Sequence, residues 1–221
     1  MKKLVLDALL GLGVFWVFGT LGVANLNAAE NSNTGQYEKF LLDCLSYENA
    51  YSCQRLIDSG QLLSVEQCGK EICTDIGFVY QTAKHYQQAI KYYEKACGLN
   101  DKRGCGRLAI FYYSGQGVEK NFNKAFKFSK KACDLNSAND CHNVASLYYK
   151  GEGVKQDFAN AAKYLKKACD ANHASACNNL GSLYGEGRGV QQNYYTAKKY
   201  FGKACDLGEQ MGCDNYKMLN K

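Results

Sequence analysis

The sequence predicts an all-α fold, a right-handed α/α solenoid superhelix of helix hairpins with one disulfide per repeat. Three observations predict this fold class. Cysteine pairs recur at a spacing of 36 residues, columns of alanine and aromatic residues keep the same step, and a Gly-x-Gly-Val segment divides the unit into two halves. Self-similarity at a period of roughly 20 to 50 residues is the signature of stacked repeats.

The two halves of each unit have the apolar spacing of α-helices. In the unit 141–176, Val144, Leu147 and Tyr148 recur at helical intervals, and a Gly-Glu-Gly-Val segment then ends this first stretch. A second apolar stretch begins at Asp157 and carries alanines that allow neighbouring helices to approach closely. One such hairpin cannot bury its own apolar face, so successive hairpins must stack.

The N-terminus has the layout of a secretory signal peptide. Two lysines precede a long uncharged apolar stretch, and small residues close it. The stretch is nearly long enough to span a bilayer, so an uncleaved membrane anchor is the alternative. We expect a secreted or periplasmic protein with no stable membrane anchor once the signal peptide is cleaved. Disulfides persist in such an oxidising compartment.

The period divides the remainder of the chain into repeats. Three units keep every column, an earlier unit of 32 residues lacks the Gly-x-Gly-Val segment, and the first unit is degenerate. The predicted boundaries are 1–29 for the signal peptide, 30–35 for a polar lead-in and 36–221 for a single α-solenoid. Within the solenoid we expect a degenerate repeat at 36–72, repeats at 73–104, 105–140, 141–176 and 177–212, and a capping half-repeat at 213–221.

The composition argues against two classes of protein. A chain of 221 residues with 46% hydrophobic and 22% charged residues has the composition of a folded protein rather than a disordered one. The net charge of +6 is mild, and the lysines are spread along the chain, so no basic stripe for nucleic acid is indicated. We therefore expect no nucleic-acid partner, and we expect a monomer.

The cysteine columns predict which thiols pair. Cys133 ends the second helix of one unit and Cys141 begins the first helix of the next. The seven residues between them suffice for a turn that brings the side chains together. The predicted disulfides are Cys97–Cys105, Cys133–Cys141, Cys169–Cys177 and Cys205–Cys213, with Cys44–Cys53 and Cys68–Cys73 for the other four cysteines.

Metal binding and thiol catalysis are the alternatives for these cysteines. The chain has no Cys-x-x-Cys motif and three histidines, His85, His142 and His173. A structural zinc site favours closer cysteine pairs, so we expect no metal and no cofactor. A catalytic cysteine needs an unpaired thiol beside a base. His142 follows Cys141, but the period assigns Cys141 to Cys133.

Two segments of the unit carry a resemblance to a known repeat. Ala-x-x-Tyr-Leu-Lys-Lys-Ala-Cys, preceded by Leu-x-x-Leu-Tyr-x-x-Gly-x-Gly-Val, resembles the Sel-one-like repeat, a relative of the tetratricopeptide repeat. With paired cysteines in every unit behind a signal peptide, the chain resembles the Helicobacter cysteine-rich protein family over about residues 36–221, most strongly over 73–221. The resemblance implies a solenoid of Sel-one-like hairpins, and it implies penicillin binding with weak β-lactamase activity.

A ligand is expected on the concave face, which the first helices line in tetratricopeptide-like arrays. An asparagine amide there can donate to a carbonyl and accept from an N–H group of an extended peptide. The alternative is that these side chains are solvated or cap their helices. The strictly repeated tyrosines at 112, 148 and 184 are expected to pack in the core. The predicted ligand-binding residues are Arg107, Asn143, Asn179, Asn215, Ser146, Ser182 and Tyr149.

The usual motifs for β-lactam chemistry are missing from the sequence. Serine acyl transfer normally uses Ser-x-x-Lys, Ser-Asp-Asn and Lys-Thr-Gly, none of which occurs, and no histidine cluster suits zinc. Ser146 and Lys150 share one helix face and are a weak catalytic candidate.

Two function classes stay open. The first is a secreted protein that binds an extended peptide or a peptidoglycan-like ligand on its concave face. The alternative is a weak β-lactamase or penicillin-binding protein that hydrolyses β-lactam amides, as the family resemblance implies. The expected partners are therefore an extended peptide, a cell-wall peptide, a β-lactam or a host protein.

Overall fold

The computed structural model describes Cys44, residues 49–60 and residues 62–219, and the regular structure in these ranges is helical. The expected signal peptide, the polar lead-in and much of the degenerate repeat lie outside the described residues. No helix within the described ranges is long and apolar enough to cross a bilayer. The helices are α1 (Ala50–Asp58), α2 (Lys70–Thr82), α3 (Tyr86–Gly98), α4 (Lys102–Ser114), α5 (Phe122–Asp134), α6 (Ala138–Lys150), α7 (Phe158–Asp170), α8 (Ala174–Glu186), α9 (Tyr194–Asp206) and α10 (Gln210–Met218).

The chain divides into two compact units. One unit comprises the described residues up to Ser64 together with Phe78–His85. It contains α1, whose first turn is capped by the side chain of Asn49. Its buried core is formed by Cys44, Cys53, Leu56 and Val79.

The other unit comprises residues 65–77 and the chain from Tyr86 onward, and it contains the repeat array. We call α4, α6, α8 and α10 the first helices, and α3, α5, α7 and α9 the second helices. Helices of each series begin 36 residues apart. The first helices begin at residues 102, 138, 174 and 210, and the second helices begin at residues 86, 122, 158 and 194. Every second helix packs against the first helix that follows it, and α5, α7 and α9 also pack against the first helix of their own hairpin. The result is the all-α solenoid of helix hairpins that the sequence predicts.

Polar caps recur at the start of the second helices. The side-chain oxygens of Asn121, Asp157 and Asn193 accept backbone N–H bonds from the first turn at 3.0, 2.9 and 2.9 Å. Such a cap satisfies an N–H group that has no partner within the helix and typically stabilises it by about 1 kcal/mol. These caps explain why α5, α7 and α9 begin at the same position of the repeat.

The two glycines of the Gly-x-Gly-Val segment have different roles. Gly151 ends α6 in the left-handed conformation, with φ 73°. Gly153 also has φ 73°, and it lies so close to the start of α5 that an added Cβ would overlap the Phe122 carbonyl group. Gly189 lies in the same way against Phe158. The segment is therefore both a helix stop and a point of close contact between hairpins.

The core of the array combines small residues with stacked aromatic rings. Alanines at equivalent positions of the second helices, such as Ala125, Ala161 and Ala197, are fully buried. Tyr112 is buried, while Tyr148 and Tyr184 are half-buried and stack on an aromatic ring of the following helix. The ring centroids lie 5.6 to 5.7 Å apart in the pairs Tyr112–Phe128, Tyr148–Tyr164 and Tyr184–Tyr200.

Disulfides join consecutive hairpins. Four of them link a second helix to the next first helix with Cα–Cα distances of 4.5 to 4.7 Å, within the ordinary range for a disulfide. All twelve cysteines are paired. The pairs are those the sequence predicts, Cys97–Cys105, Cys133–Cys141, Cys169–Cys177 and Cys205–Cys213, with Cys44–Cys53 and Cys68–Cys73.

A lysine from three of the four Lys-Ala-Cys runs reaches back to the preceding hairpin. Its Nζ donates to a backbone carbonyl in the last turn of the previous second helix, where carbonyl groups lack partners within the helix. The positive charge also suits the negative end of the helix dipole. The three bonds are Lys131 to Cys97 at 2.6 Å, Lys167 to Cys133 at 2.8 Å and Lys203 to Cys169 at 2.7 Å.

Candidate ligand-binding face

The predicted ligand-binding residues lie on the first helices, and we call this surface the first-helix face. One column places a single side chain on each first helix, at equivalent positions 36 residues apart. The face is defined by Arg107 on α4, Asn143 and Ser146 on α6, Asn179 and Ser182 on α8, and Asn215 on α10. The period therefore brings these residues onto one layer of helices, as expected.

Two of the asparagine amides bridge neighbouring first helices. Asn179 Nδ2 lies 3.0 Å from His142 Nε2 on α6. Asn215 Nδ2 donates to Asn178 Oδ1 on α8 at 2.9 Å. The NH₂ groups thus hold both asparagines against the preceding hairpin. Their Oδ1 atoms accept no hydrogen bond from any residue between 62 and 219.

Asn143 lies beside a buried carboxylate instead. Its Nδ2 is 3.5 Å from Asp140 Oδ1, and Ser137 Oγ donates to the other oxygen at 2.5 Å. Burial raises the pKa of Asp140, and these two hydrogen bonds oppose the rise. Asn143 therefore belongs to a polar cluster at the start of α6.

Arg107 is the member of this column on α4, and it is half-buried. Its charge acts on the phenol of Tyr93. Burial raises the pKa of Tyr93, and the positive charges of Arg107 and Arg103 oppose that rise. Arg107 therefore belongs to an electrostatic group with Tyr93 as well as to the first-helix face.

An open groove of about 220 Å³ lies at the end of the array. Side chains from α8, α9 and α10 line it, with an apolar floor that includes Phe201. The groove brings together two predicted site residues, Ser182 and Asn215. Ser182 Oγ donates to the Asn178 carbonyl at 3.3 Å within its own helix, which fixes the hydroxyl at the edge of the groove.

Tyr149 is on the surface, but its hydroxyl is used within the protein. The hydroxyl accepts a hydrogen bond from Arg188 Nη1 at 2.7 Å. One repeat earlier, the Tyr113 hydroxyl accepts from Lys150 Nζ at 3.3 Å and donates to Glu152 Oε2 at 3.2 Å. In both cases the partner belongs to the next hairpin, so this tyrosine column ties neighbouring hairpins together.

The weak catalytic candidate does not form a Ser–Lys couple in the structure. Ser146 is half-buried, and no hydrogen bond between it and Lys150 is present among the described side chains. Lys150 instead contacts Tyr113 and, at 3.9 Å, Glu152. Its hydrogen bond to Tyr113 raises the pKa of Lys150, and the charges of Tyr113 and Glu152 add to the rise. Lys150 therefore holds its proton at neutral pH.

A histidine pair beside this face is not foreseen by the sequence. The rings of His142 and His173 stack with centroids 4.8 Å apart and planes at 14°. His173 is also the cap of α8, because its Nδ1 accepts the N–H of Ala176 at 3.2 Å. The two histidines occupy different columns of the repeat, so periodicity does not connect them. The cap column at 101, 137 and 173 is the one signal that singles out His173.

Both histidines are disposed to stay neutral. Burial lowers the pKa of His142, and the nearby charge of His173 lowers it further. Burial also lowers the pKa of His173, whereas its backbone hydrogen bond and the charge of Glu209 act to raise that pKa. A neutral His173 is the form that can accept the capping bond. In the part of the chain that the structure describes, no group of three or more His, Cys, Asp or Glu side chains could hold a metal ion.

Comparisons with known proteins agree with this architecture. The Sel1 repeat matches residues 103–137, 138–173 and 174–209, and a tetratricopeptide repeat matches residues 70–103. The three Sel1 matches correspond to the hairpins α4–α5, α6–α7 and α8–α9. Together the matched repeats extend without a gap from residue 70 to residue 209.

Individual relatives match shorter or longer parts of the chain. "Putative beta-lactamase HcpC" of Helicobacter pylori is 47% identical over 58 residues, a match that spans 26% of this chain and 20% of HcpC. The solved "Helicobacter pylori cysteine rich protein B (hcpB)" is 40% identical over 58% of this chain and 92% of its own, with a TM-score of 0.48. The Escherichia coli protective antigen c5321 shares the fold, with a TM-score of 0.67 at 20% identity over 86% of this chain and 44% of that one.

Helix hairpins that are joined by one disulfide per repeat define a class of disulfide-linked Sel1-like solenoids. The matched repeats extend over residues 70–209, so the chain belongs to the Sel1-like, tetratricopeptide-related repeat proteins. Over 58 residues it is also similar to HcpC of Helicobacter pylori. Its six disulfides indicate an oxidising extracellular or periplasmic setting.

Proposed function

We propose that the first-helix face binds an extended peptide or a peptidoglycan-like cell-wall peptide, and that the protein is secreted or periplasmic. The bridging asparagines Asn179 and Asn215 carry this proposal. Each is held by its NH₂ group, and each leaves a side-chain oxygen without a described donor. An extended peptide presents N–H groups along its length, and successive oxygens one repeat apart can accept from them.

The geometry narrows the chemistry of the ligand. Each NH₂ group uses one of its two N–H donors in the bridge, whereas each Oδ1 has two lone pairs without a described donor. A ligand that supplies N–H or O–H donors therefore fits these amides best. Because the asparagines are held before binding, little side-chain freedom is lost when the ligand arrives, which favours affinity. Repeat arrays of this kind commonly present extended binding surfaces.

The groove beside Asn215 supplies an apolar contact for the same ligand. Its lining includes Phe201 and Met218. Met218 is 63% exposed, so a ligand side chain that covers it removes apolar surface from water. The predicted mode of binding is therefore a peptide backbone along the asparagines with one apolar side chain in the groove.

Titration calorimetry with two probes tests this function. The probes are the stem pentapeptide L-Ala–γ-D-Glu–L-Lys–D-Ala–D-Ala and an acetylated linear peptide of the same length. The double variant Asn179→Ala/Asn215→Ala should bind at least about tenfold more weakly to whichever probe the parent protein binds, since two acceptors are lost. Gln88→Ala/Asn123→Ala removes two exposed amides from the second helices and should leave binding unchanged.

Met218→Arg is a second test that leaves the inter-hairpin hydrogen bonds in place. It puts a long charged side chain at the groove and should weaken binding without lowering the unfolding midpoint. Unchanged affinity in both face variants, or an equal loss in the control, would exclude the first-helix face as the binding site. Absence of binding by both probes would also reject the proposal.

Hydrolysis of β-lactam amides is the second candidate, and the name of HcpC favours it. A β-lactam resembles the end of a cell-wall peptide, so a peptide-binding face could accept one. Turnover of a chromogenic cephalosporin by the purified protein, compared with Ser146→Ala, tests this candidate. Activity that disappears with Ser146→Ala would support an enzyme. Trace activity that persists in that variant and in reduced protein would exclude β-lactam hydrolysis as a function of the protein.

Several organisational expectations also stay predictions. They are cleavage of residues 1–29, the repeat boundaries within 36–221, the monomeric state and a host protein as partner. Mass spectrometry of the mature protein tests the cleavage of residues 1–29. The same measurement on any co-purifying molecule tests whether a host protein is a partner.

A further inference from the structure

One lysine recurs at the same place on all four second helices. Each is the sixth residue of a helix of 13 residues, and each is exposed. We call these residues the lysine row. The row consists of Lys91, Lys127, Lys163 and Lys199.

The lysine row differs from the other lysine columns of the same helices. Lys131 and its equivalents bond to the preceding hairpin. Lys130 and Lys166 pair with an aspartate four residues later at 2.7 and 2.6 Å. The four lysines of the row make neither a hydrogen bond nor an ion pair with any residue that the structure describes. Their recurrence is thus not explained by contacts that hold the array together.

Positive charge is concentrated on this layer of helices. The four second helices contain twelve lysines and four acidic residues, which gives a net charge of +8. The four first helices contain five basic and three acidic residues, which gives +2. The lysines that are dispersed along the sequence therefore come together on the second helices in the folded chain.

A shallow groove of about 460 Å³ adjoins the row on α5. Lys127 and Lys130 line it together with the apolar side chains of Phe126 and Leu135. Asp134 also lines the groove and pairs with Lys130, so Lys127 is the ammonium group there that has no described partner. The apolar surface beside Lys127 suits an anionic ligand with apolar ring faces.

We propose that the lysine row binds an acidic polysaccharide, a linear chain with regularly spaced sulfate or carboxylate groups. One unpaired ammonium group per repeat matches a polymer that presents one anionic group after another. The cations of the second helices are all lysine, without arginine. Lysine acts as a point charge that suits anions of variable orientation, whereas arginine favours bidentate hydrogen bonds to an anion in a fixed orientation. Binding between exposed charges of this kind weakens steeply with salt.

The test uses a size-defined heparin oligosaccharide as the probe, with affinity measured over a series of salt concentrations. Lys91→Gln/Lys127→Gln/Lys163→Gln/Lys199→Gln should weaken binding by at least about tenfold at low salt and reduce the salt dependence. The matched control is Lys70→Gln/Lys102→Gln/Lys155→Gln/Lys217→Gln. It removes the same four charges from exposed positions away from the second helices and should bind nearly as well as the parent.

Several outcomes would overturn the proposal. Equal losses in the row variant and the control would show that net charge, not the row, attracts the polymer. Absence of heparin binding at low salt, or retention of full affinity by the row variant, would reject the site. Binding to vesicles containing phosphatidylserine without binding to heparin would assign the row to a membrane surface instead. None of these results bears on the first-helix face, because none of the substituted lysines is among the residues that define that face.

Discussion

At the scale of single residues, glycine determines how closely the hairpins approach. Gly153 and Gly189 each lie against the first residue of a second helix in the preceding hairpin. The sequence identifies both glycines of each turn segment as helix breakers. It does not distinguish their roles, because the contact is made with a residue far earlier in the chain.

Gly153→Ala tests this close contact. A positive φ and the overlap with the Phe122 carbonyl both oppose an added Cβ, so the free energy of unfolding should fall by about 2–4 kcal/mol. Gly98→Ala is the matched control, because an added Cβ there meets nothing within 4 Å. It should change stability by less than about 1 kcal/mol. Denaturant unfolding measures both, and equally small effects would contradict the assigned role.

The stacked histidines predict a pH dependence of stability. Their pKa values are lowered in the folded state below the ordinary 6.5, so the unfolded chain binds more protons than the folded chain at mildly acidic pH. The stabilisation is complete above pH 6.5 and is lost as the pH falls through the lowered values. Protonation of His173 at Nδ1 would also remove the cap of α8.

The double variant His142→Gln/His173→Asn should reduce this pH dependence. Asparagine is a good cap residue, so helix α8 keeps its start while the titrating groups are gone. Unfolding midpoints between pH 7.5 and pH 5 measure the effect in both proteins. The parent should lose more stability across this range than the variant, and parallel curves would show that the pair does not control it.

At the scale of helices, the lysines of the Lys-Ala-Cys runs join one hairpin to the next. The sequence shows their recurrence, and the structure shows that three of them bond to a helix end. The sequence does not reveal that the helix end belongs to the preceding hairpin, since the bonded carbonyl lies 34 residues earlier. The asparagine bridges are hidden for a similar reason, because His142 and Asn178 differ in type at one position of the repeat.

Lys131→Met tests the contribution of one such lysine. Loss of the bond to the Cys97 carbonyl should lower the free energy of unfolding by about 1 kcal/mol, since the group is partly exposed. Lys127→Met is the control four residues earlier, where the side chain has no described partner, and it should have almost no effect. If both substitutions cost the same, the lysine bond does not join the hairpins.

At the scale of the whole molecule, the period of the sequence predicts the fold and the disulfide pairs because each hairpin repeats the same local geometry. Cysteines eight residues apart recur at the turn between two hairpins, and each second helix must pack on the next first helix. The layer on which the ligand-binding candidates lie also follows from the period. The occupied hydroxyl of Tyr149 does not, because it depends on Arg188 in the next hairpin.

Reduction should lower the thermal stability of the protein sharply. Each disulfide closes a short loop and contributes up to about 2–3 kcal/mol by the chain-entropy account. The unfolding midpoint in the presence of a strong reductant should therefore fall well below that of the oxidised protein. An unchanged midpoint with all thiols shown to be reduced would mean that the disulfides do not stabilise the array.

The central claim is that each hairpin is joined to the next by its own disulfide. Peptide mapping by mass spectrometry of the unreduced protein, with prior blocking of accessible thiols, tests it most directly. We expect no blocked cysteine, and we expect linked peptides that join Cys97 to Cys105 and the equivalent pairs in the later repeats. Blocked thiols, or links between cysteines of distant repeats, would contradict this account of the molecule.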